Sequence, residues 1–262
     1  MTTDMPILRV AGISKAFSGR WAVSNVNFDI QRGSVTALIG PNGAGKTTLF
    51  DLITGHSRAD EGKILFNQQS IVGLPPHRIA RLGLARSFQF PRVFSGMTVL
   101  ENLMVACPEQ PGEHLASLFI TPRSVSDREA IGRAAAEEML EKLRLEKKAD
   151  HYAGTLSAGQ KKLLNLAQVL MTEPSMVLLD EPMSGMNEGL RSTIFETIIS
   201  LQGRSKTTFL FIEHDIEAVM TYAHHVLVMV EACVIASGTP EAITSDPRVI
   251  DAYMGDLQFG SL

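Results

Sequence analysis

The chain has 262 residues, 45% of them hydrophobic, and a formal charge of −4. That is enough length and apolar side chain for one large α/β domain, or a core with a smaller lobe, and the charge gives no basis for holding nucleic acid by bulk electrostatics. The two cysteines, Cys107 and Cys233, are far apart, have no metal-ligand spacing, suit a reducing compartment and are expected as small buried hydrophobes.

The first residues carry neither a basic stretch nor an apolar signal-like segment, and no apolar run reaches the roughly 18 residues of a membrane span, so a chain soluble by itself is expected. Residues 7 to 39 alternate as half-buried strands, with Val26, Phe28 and Ile30 on one side and Asn25, Asn27 and Asp29 on the other. The run Val35-Thr36-Ala37-Leu38-Ile39 then enters Gly40-Pro41-Asn42-Gly43-Ala44-Gly45-Lys46-Thr47, which fits G-x-x-x-x-G-K-[ST]. Thr48 onwards reads as helix, giving strand, loop, helix. In such a loop backbone N–H groups wrap the phosphates of a nucleotide and the new helix turns its positive end to them. Lys46 supplies a cation for the β- and γ-phosphates, and the Thr47 hydroxyl is the expected Mg²⁺ ligand.

Helical patterns follow from Pro75 to Gly83 and over residues 126 to 147, where Ile131, Ala134, Ala135, Met139 and Leu143 form the predicted apolar stripe. Between them Pro108, Pro111 and Pro122 break up a loop-rich stretch. Leu156-Ser157-Ala158-Gly159-Gln160 precedes a strongly helical run, so Ser157 is a candidate helix cap and phosphate-oxygen donor. Two short apolar runs, Met176 to Leu179 and Thr208 to Ile212, suit a parallel sheet covered on both faces. Asp180 and Glu181 close the first of these, where ligands bind in open α/β sheets. Asp180 is the candidate Mg²⁺ ligand, and Glu181 the general base or water-positioning group for attack on the γ-phosphate.

In this order, the phosphate loop, the LSAGQ segment and the acid pair resemble the ATP-binding cassette (ABC) ATPases. The resemblance runs from about Ile7 to Gly255 and implies a P-loop NTPase fold of the ABC type, with an antiparallel β subdomain and an inserted α-helical subdomain. It implies a single ATPase domain over 7–255, with the helical lobe at about 90–170 and a tail at 256–262. It also implies further roles: Gln89 in the Q-loop, linking the metal site to the helical lobe; His214 as the switch histidine that senses the γ-phosphate; Phe17 stacking on adenine; and Ser184-Gly185-Met186-Asn187 as the D-loop. Thr48, Ser157, Ala158, Gly159 and Gln160 complete the nucleotide-contacting set, with ATP and Mg²⁺ as cofactors.

Two positions depart from the family pattern: Ala158 stands where Gly is usual, and Asn187 where many relatives have Asp. The methyl of Ala158 is tolerable at negative φ and strained at positive φ. The sequence leaves that open.

A narrower resemblance lies in Ala85-Arg86-Ser87-Phe88-Gln89, Met97-Thr98-Val99-Leu100-Glu101-Asn102-Leu103, Ile212-Glu213-His214-Asp215, and the tail from Gly238 to Ile243 with Val249 to Gly255. These segments resemble the ATPase subunits of branched-chain amino acid importers, a group that includes urea and short-chain amide systems. The resemblance implies two integral-membrane permeases, a second ABC ATPase subunit in a homo- or heterodimer, a solute-binding protein acting indirectly, and no nucleic acid. It places the chain in the cytoplasm, peripheral on the inner face of a bacterial or archaeal membrane. Arg92, Val93, Phe94 and Met97 are the candidate permease-docking residues. Lipopolysaccharide-export ATPases share a similar tail and are the nearest transport alternative. Soluble ABC proteins of ribosomes or DNA usually carry two cassettes or long coiled coils, which this chain lacks, and a P-loop kinase would have no use for the signature or the switch histidine.

Overall fold

The computed structural model describes residues 5–87, 92–108 and 122–252. Among the described residues ten strands fall into two sheets. In the first, β1 (Leu8–Phe17) lies between β2 (Arg20–Ile30) and β4 (Glu61–Phe66), with the short β5 (Gln69–Ser70) beyond β4, all antiparallel. Alternation in β2 turns Val26, Phe28 and Ile30 inward while Asn27 and Asp29 stay exposed.

The second sheet has the order β10-β9-β3-β8-β7-β6. Its strands β3 (Val35–Ile39), β8 (Thr208–Ile212), β7 (Met176–Asp180), β6 (Leu84–Arg86) and β9 (His225–Val230) are parallel, and β10 (Cys233–Gly238) closes one edge antiparallel to β9. Every residue of β3, β7 and β8 is buried, which explains why these segments read as unbroken apolar runs.

The helices are α1 (Lys46–Ile53), α2 (Pro76–Arg81), α3 (Val99–Met104), α4 (Pro122–Lys142), α5 (Ala158–Met171), α6 (Glu188–Ser205), α7 (Ile216–Tyr222) and α8 (Pro240–Thr244). Contacts divide the chain into two units. One comprises Met1–Arg86, Ser175–Pro182 and Ile199–Leu262 and holds both sheets; the other comprises Ser87–Pro174 and Met183–Ile198 and is helical.

Within the helical unit α3, α4 and α5 pack on one another. The seam of α4 is not the predicted one. Ala136, Met139, Leu140 and Leu143 are buried, whereas Ile131 is 70% exposed and Ala134 and Ala135 face solvent. At this level the helix turns Gly132 towards Cys107, whose Sγ lies 3.7 Å from the Gly132 carbonyl, and Ile131 faces outward. The cysteines also differ from expectation, since both are only half-buried. Burial still pushes the Cys107 thiol above its usual range.

Asn102 is fully buried in the same unit. Its amide accepts from Phe94 N at 2.8 Å and donates to the carbonyls of Phe94 at 3.1 Å and Thr98 at 2.8 Å, while Gln168 Nε2 of α5 donates to Asn102 Oδ1 at 3.3 Å. A buried amide so fully used holds the 94–98 turn on the helix that follows Ser157.

Candidate active site

The phosphate loop is shaped by close backbone approaches. Gly40, leaving β3, has φ +148°, and a Cβ there would collide with the Met229 carbonyl oxygen; at Gly45, φ +101°, it would collide with that of Ala22. Only glycine fits these two positions. Gly45 is also the N-cap of α1, so no side chain caps that helix and no acid stands in its first turn. Its uncapped N–H groups and positive end form an anion site of the kind that takes phosphate.

Lys46 opens α1 and curls over the loop, its Nζ donating to the Gly40 carbonyl at 2.7 Å and the Pro41 carbonyl at 2.8 Å. Two of its three protons are thereby spent on orientation. Burial pushes this ammonium below the ordinary lysine range, and the Glu181 and Asp180 carboxylates act in the opposite direction. Lys46, Asp180 and Glu181 therefore form one electrostatic cluster. Asn42, Gly43 and Thr47 are exposed, Pro41, Gly45 and Thr48 half-buried, and Ala44 buried.

Asp180 ends β7 and is almost wholly buried. Because β7 and β8 are parallel neighbours, with Asp180 opposite Ile212, the residues that follow each strand emerge side by side. Glu181 N donates to Ile212 O at 3.1 Å, and the Glu181 backbone has φ +47°, the left-handed region that a side-chain-bearing residue rarely takes. Its carboxylate meets His214, whose Nε2 donates to Glu181 Oε1 at 2.9 Å. The predicted general base Glu181 and the predicted γ-phosphate sensor His214 are thus hydrogen-bonded to each other across 33 positions of sequence.

Phe17 is 52% exposed at the end of β1, and Lys15 Nζ lies 5.3 Å from its ring centroid. Lys15 is in turn held by Asp60 at 2.7 Å, and the Ala16 N–H and Lys15 together hold the Asp60 carboxyl below the usual carboxylate range. A tethered cation beside the ring leaves aromatic surface open to stacking.

In the helical unit Ser157 is the N-cap of α5, with reciprocal bonds: Gln160 N donates to Ser157 Oγ at 3.3 Å and Ser157 N to Gln160 Oε1 at 3.1 Å. The hydroxyl proton is not used in either bond. Ala158 is the first residue of the helix and is not among the residues with positive φ, so its methyl brings no strain. At Gly159 a Cβ would stand 2.7 Å from Leu190 Cδ1, so the end of that side chain would have to shift. Asn187 caps α6 by accepting from Leu190 N at 3.0 Å, a bond that Asp would make equally. Gln89 lies outside the described residues.

Among the described residues no group of three or more His, Cys, Asp or Glu could cage a metal ion. Mg²⁺ needs no such cage, since it binds through one or two protein oxygens and completes its shell with phosphate oxygens and water. The Asp180 carboxylate and the Thr47 hydroxyl are a donor set of that kind.

A family model described as ABC transporter matches residues 23–184. The chain belongs to the ABC transporter family. It is the ATP-binding, ATP-hydrolysing subunit type of that family, and its fold is the ABC nucleotide-binding fold. A second model, described as branched-chain amino acid ATP-binding cassette transporter, matches residues 233–256. The chain is 42% identical, over 96% of its length and 98% of the relative's, to the high-affinity branched-chain amino acid transport ATP-binding protein BraF of Pseudomonas aeruginosa. It is 40% identical to a probable branched-chain amino acid transport ATP-binding protein, LivG, of Archaeoglobus fulgidus, covering 96% of each chain. Among solved structures, a nucleotide-free ATP-binding cassette from an ABC transporter superposes with a TM-score of 0.80 at 38% identity, covering 95% of this chain and 99% of that one.

Sequence reasoning missed Asp51 and the role of Arg86, which links it to Asp180, as well as Asn102 and the 60% exposed Tyr152, whose backbone bridges to Thr98. Asp51, Arg86 and Tyr152 owe their positions to partners distant in sequence, whereas Asn102 is held chiefly by nearby Phe94 and Thr98.

Proposed function

We propose that this ABC ATPase powers the uptake of branched-chain amino acids, or of related small polar solutes such as urea or amides, across a bacterial or archaeal cell membrane. The observation that carries the reading is the agreement of the carboxyl-terminal match at 233–256 with nearly full-length relatives named for branched-chain amino acid transport. The catalytic reading rests on the Glu181–His214 pair beside Lys46 and Asp180.

ATP sits with its phosphates on the loop from Gly40 to Thr48 and its adenine on Phe17. Glu181 positions and deprotonates the attacking water, His214 orients Glu181 and senses the γ-phosphate, and Gln89 links this chemistry to the helical unit. When bound, Mg²⁺ would be held by Thr47 and Asp180, with Gln89 the further ligand the family resemblance implies, and would neutralise phosphate charge. A second ABC ATPase subunit completes the site by offering its Ser157 to Gln160 segment. The chain is a single cassette over 7–255 and rests on the inner membrane face against two permeases, with the solute-binding protein acting at one remove. Among the described residues no helix is long and apolar enough to cross a membrane. Arg92, Val93, Phe94 and Met97 form the docking edge; Phe94 is 51% exposed, and Asn102 fixes its backbone.

The test is uptake of labelled leucine, urea and short-chain amides by cells with the gene deleted and then restored. Loss and recovery of uptake of one solute class names the cargo. Unchanged uptake of all three refutes the proposal.

A further inference from the structure

Arg86, the last residue of β6, has its side chain only 8% exposed and divides its guanidinium between two carboxylates. Nη1 donates to Asp51 Oδ1 at 2.5 Å and Nη2 to Asp180 Oδ2 at 2.9 Å, and the guanidinium carbon lies 5.6 Å from the Phe50 ring centroid. Asp51 belongs to α1, the helix that Lys46 and Thr47 open, and Asp180 ends β7, the strand paired with β6. One side chain therefore ties three elements around the phosphate loop.

The way the fork is used is informative. A guanidinium gripping one carboxylate side-on makes two parallel bonds, the strongest arrangement open to it. Here the fork is split, and Nε–H is left buried without an acceptor. An orphaned buried donor is costly and rare. The arrangement sacrifices a bond to hold two carboxylates at a set distance. On Asp180 it occupies Oδ2, and among the described residues Oδ1 takes no hydrogen bond.

We propose that Arg86 is a positioning residue for the metal: it clamps Asp180 through Oδ2, so that Oδ1 is presented to Mg²⁺, and through Asp51 it fixes that carboxylate relative to the helix carrying Thr47. The proposal rests on the reading of Asp180 and Thr47 as metal ligands. Lysine cannot replace this arginine, because a single ammonium on a flexible stem lacks the fork that spans both carboxylates.

The test uses the full chain with Mn²⁺ as probe metal, its dissociation constant from the ADP complex read by electron paramagnetic resonance. ADP affinity in EDTA and the melting temperature are measured alongside. Arg86→Lys is expected to bind ADP without metal as the parent does and to hold Mn²⁺ about tenfold more weakly, the size of effect typical when a partner behind a ligand is lost. Asp51→Asn, changed at a carboxylate that is 38% exposed, keeps the fold and loses a smaller factor. Parental Mn²⁺ affinity in Arg86→Lys, or equal losses of metal-free ADP and of Mn²⁺, overturns the proposal. If Arg86→Lys does not fold, parental Mn²⁺ affinity in Asp51→Asn overturns it. Asp180→Asn separates the two readings: if it too binds Mn²⁺ normally, the metal assignment falls and the proposal with it, whereas a strong loss there beside a silent Arg86→Lys defeats the proposal alone.

Discussion

Glu181 combines a left-handed backbone with a carboxylate hydrogen-bonded to His214, and a strained residue at a reacting centre is held there by its surroundings. In the proposed reading Glu181→Gln keeps the shape and loses the base. ATP binding by a fluorescent analogue is expected to survive, with turnover falling about 10²-fold or more; turnover at the parental rate would exclude Glu181 as base. Lys46→Ala is expected to weaken nucleotide binding itself, because the loop loses both its charge and the bonds to Gly40 and Pro41. His225 gives a different test. Burial holds its imidazole below the ordinary value of about 6.5, so between the two values the unfolded chain binds more protons than the folded one and stability falls as the pH falls. His225→Gln is expected to flatten that loss in urea midpoints compared at pH 7.5 and 5.5. Where these residues lie is legible in sequence, since the phosphate loop, the acid pair at the end of β7 and the histidine after β8 are each local to one strand end. The Arg86 bridge is not: its partners lie 35 and 94 positions away, and no local pattern marks them.

The elements repeat that division. The strands of the first 39 residues and the central β7 and β8 follow from alternation or from unbroken apolar runs, because a strand's burial is written in its own residues, whereas β4, β5, β6, β9 and β10 are not predicted from such a pattern. The face of α4 is not written in this way. Its alanine-rich stretch allows neighbouring stripes, and the packing of α4 against α3 and α5 selects between them. Ala136→Glu is therefore expected to destabilise the helical unit by a few kcal/mol, the cost of burying an unpaired charge, while Ile131→Glu is expected to change the melting temperature by no more than an ordinary surface substitution. Ser157→Ala removes the cap of α5 and is expected to cost about 1 kcal/mol by denaturation.

For the whole molecule, the sequence contains one phosphate loop and one LSAGQ segment, and in the proposed reading ATP needs the first from one chain and the second from another. Specific ATPase activity of the isolated chain is accordingly expected to rise with protein concentration, and Glu181→Gln with ATP is expected to run as a dimer in light scattering. In the proposed reading the cargo is chosen by proteins other than this one, so no residue here makes it legible. The central claim is that the chain drives a membrane importer, and the most direct measurement is its purification in mild detergent from native membranes, with mass spectrometry of what stays bound. The account predicts two polytopic permeases and a second ATPase subunit; recovery with ribosomes or DNA, and without membrane proteins, would contradict it.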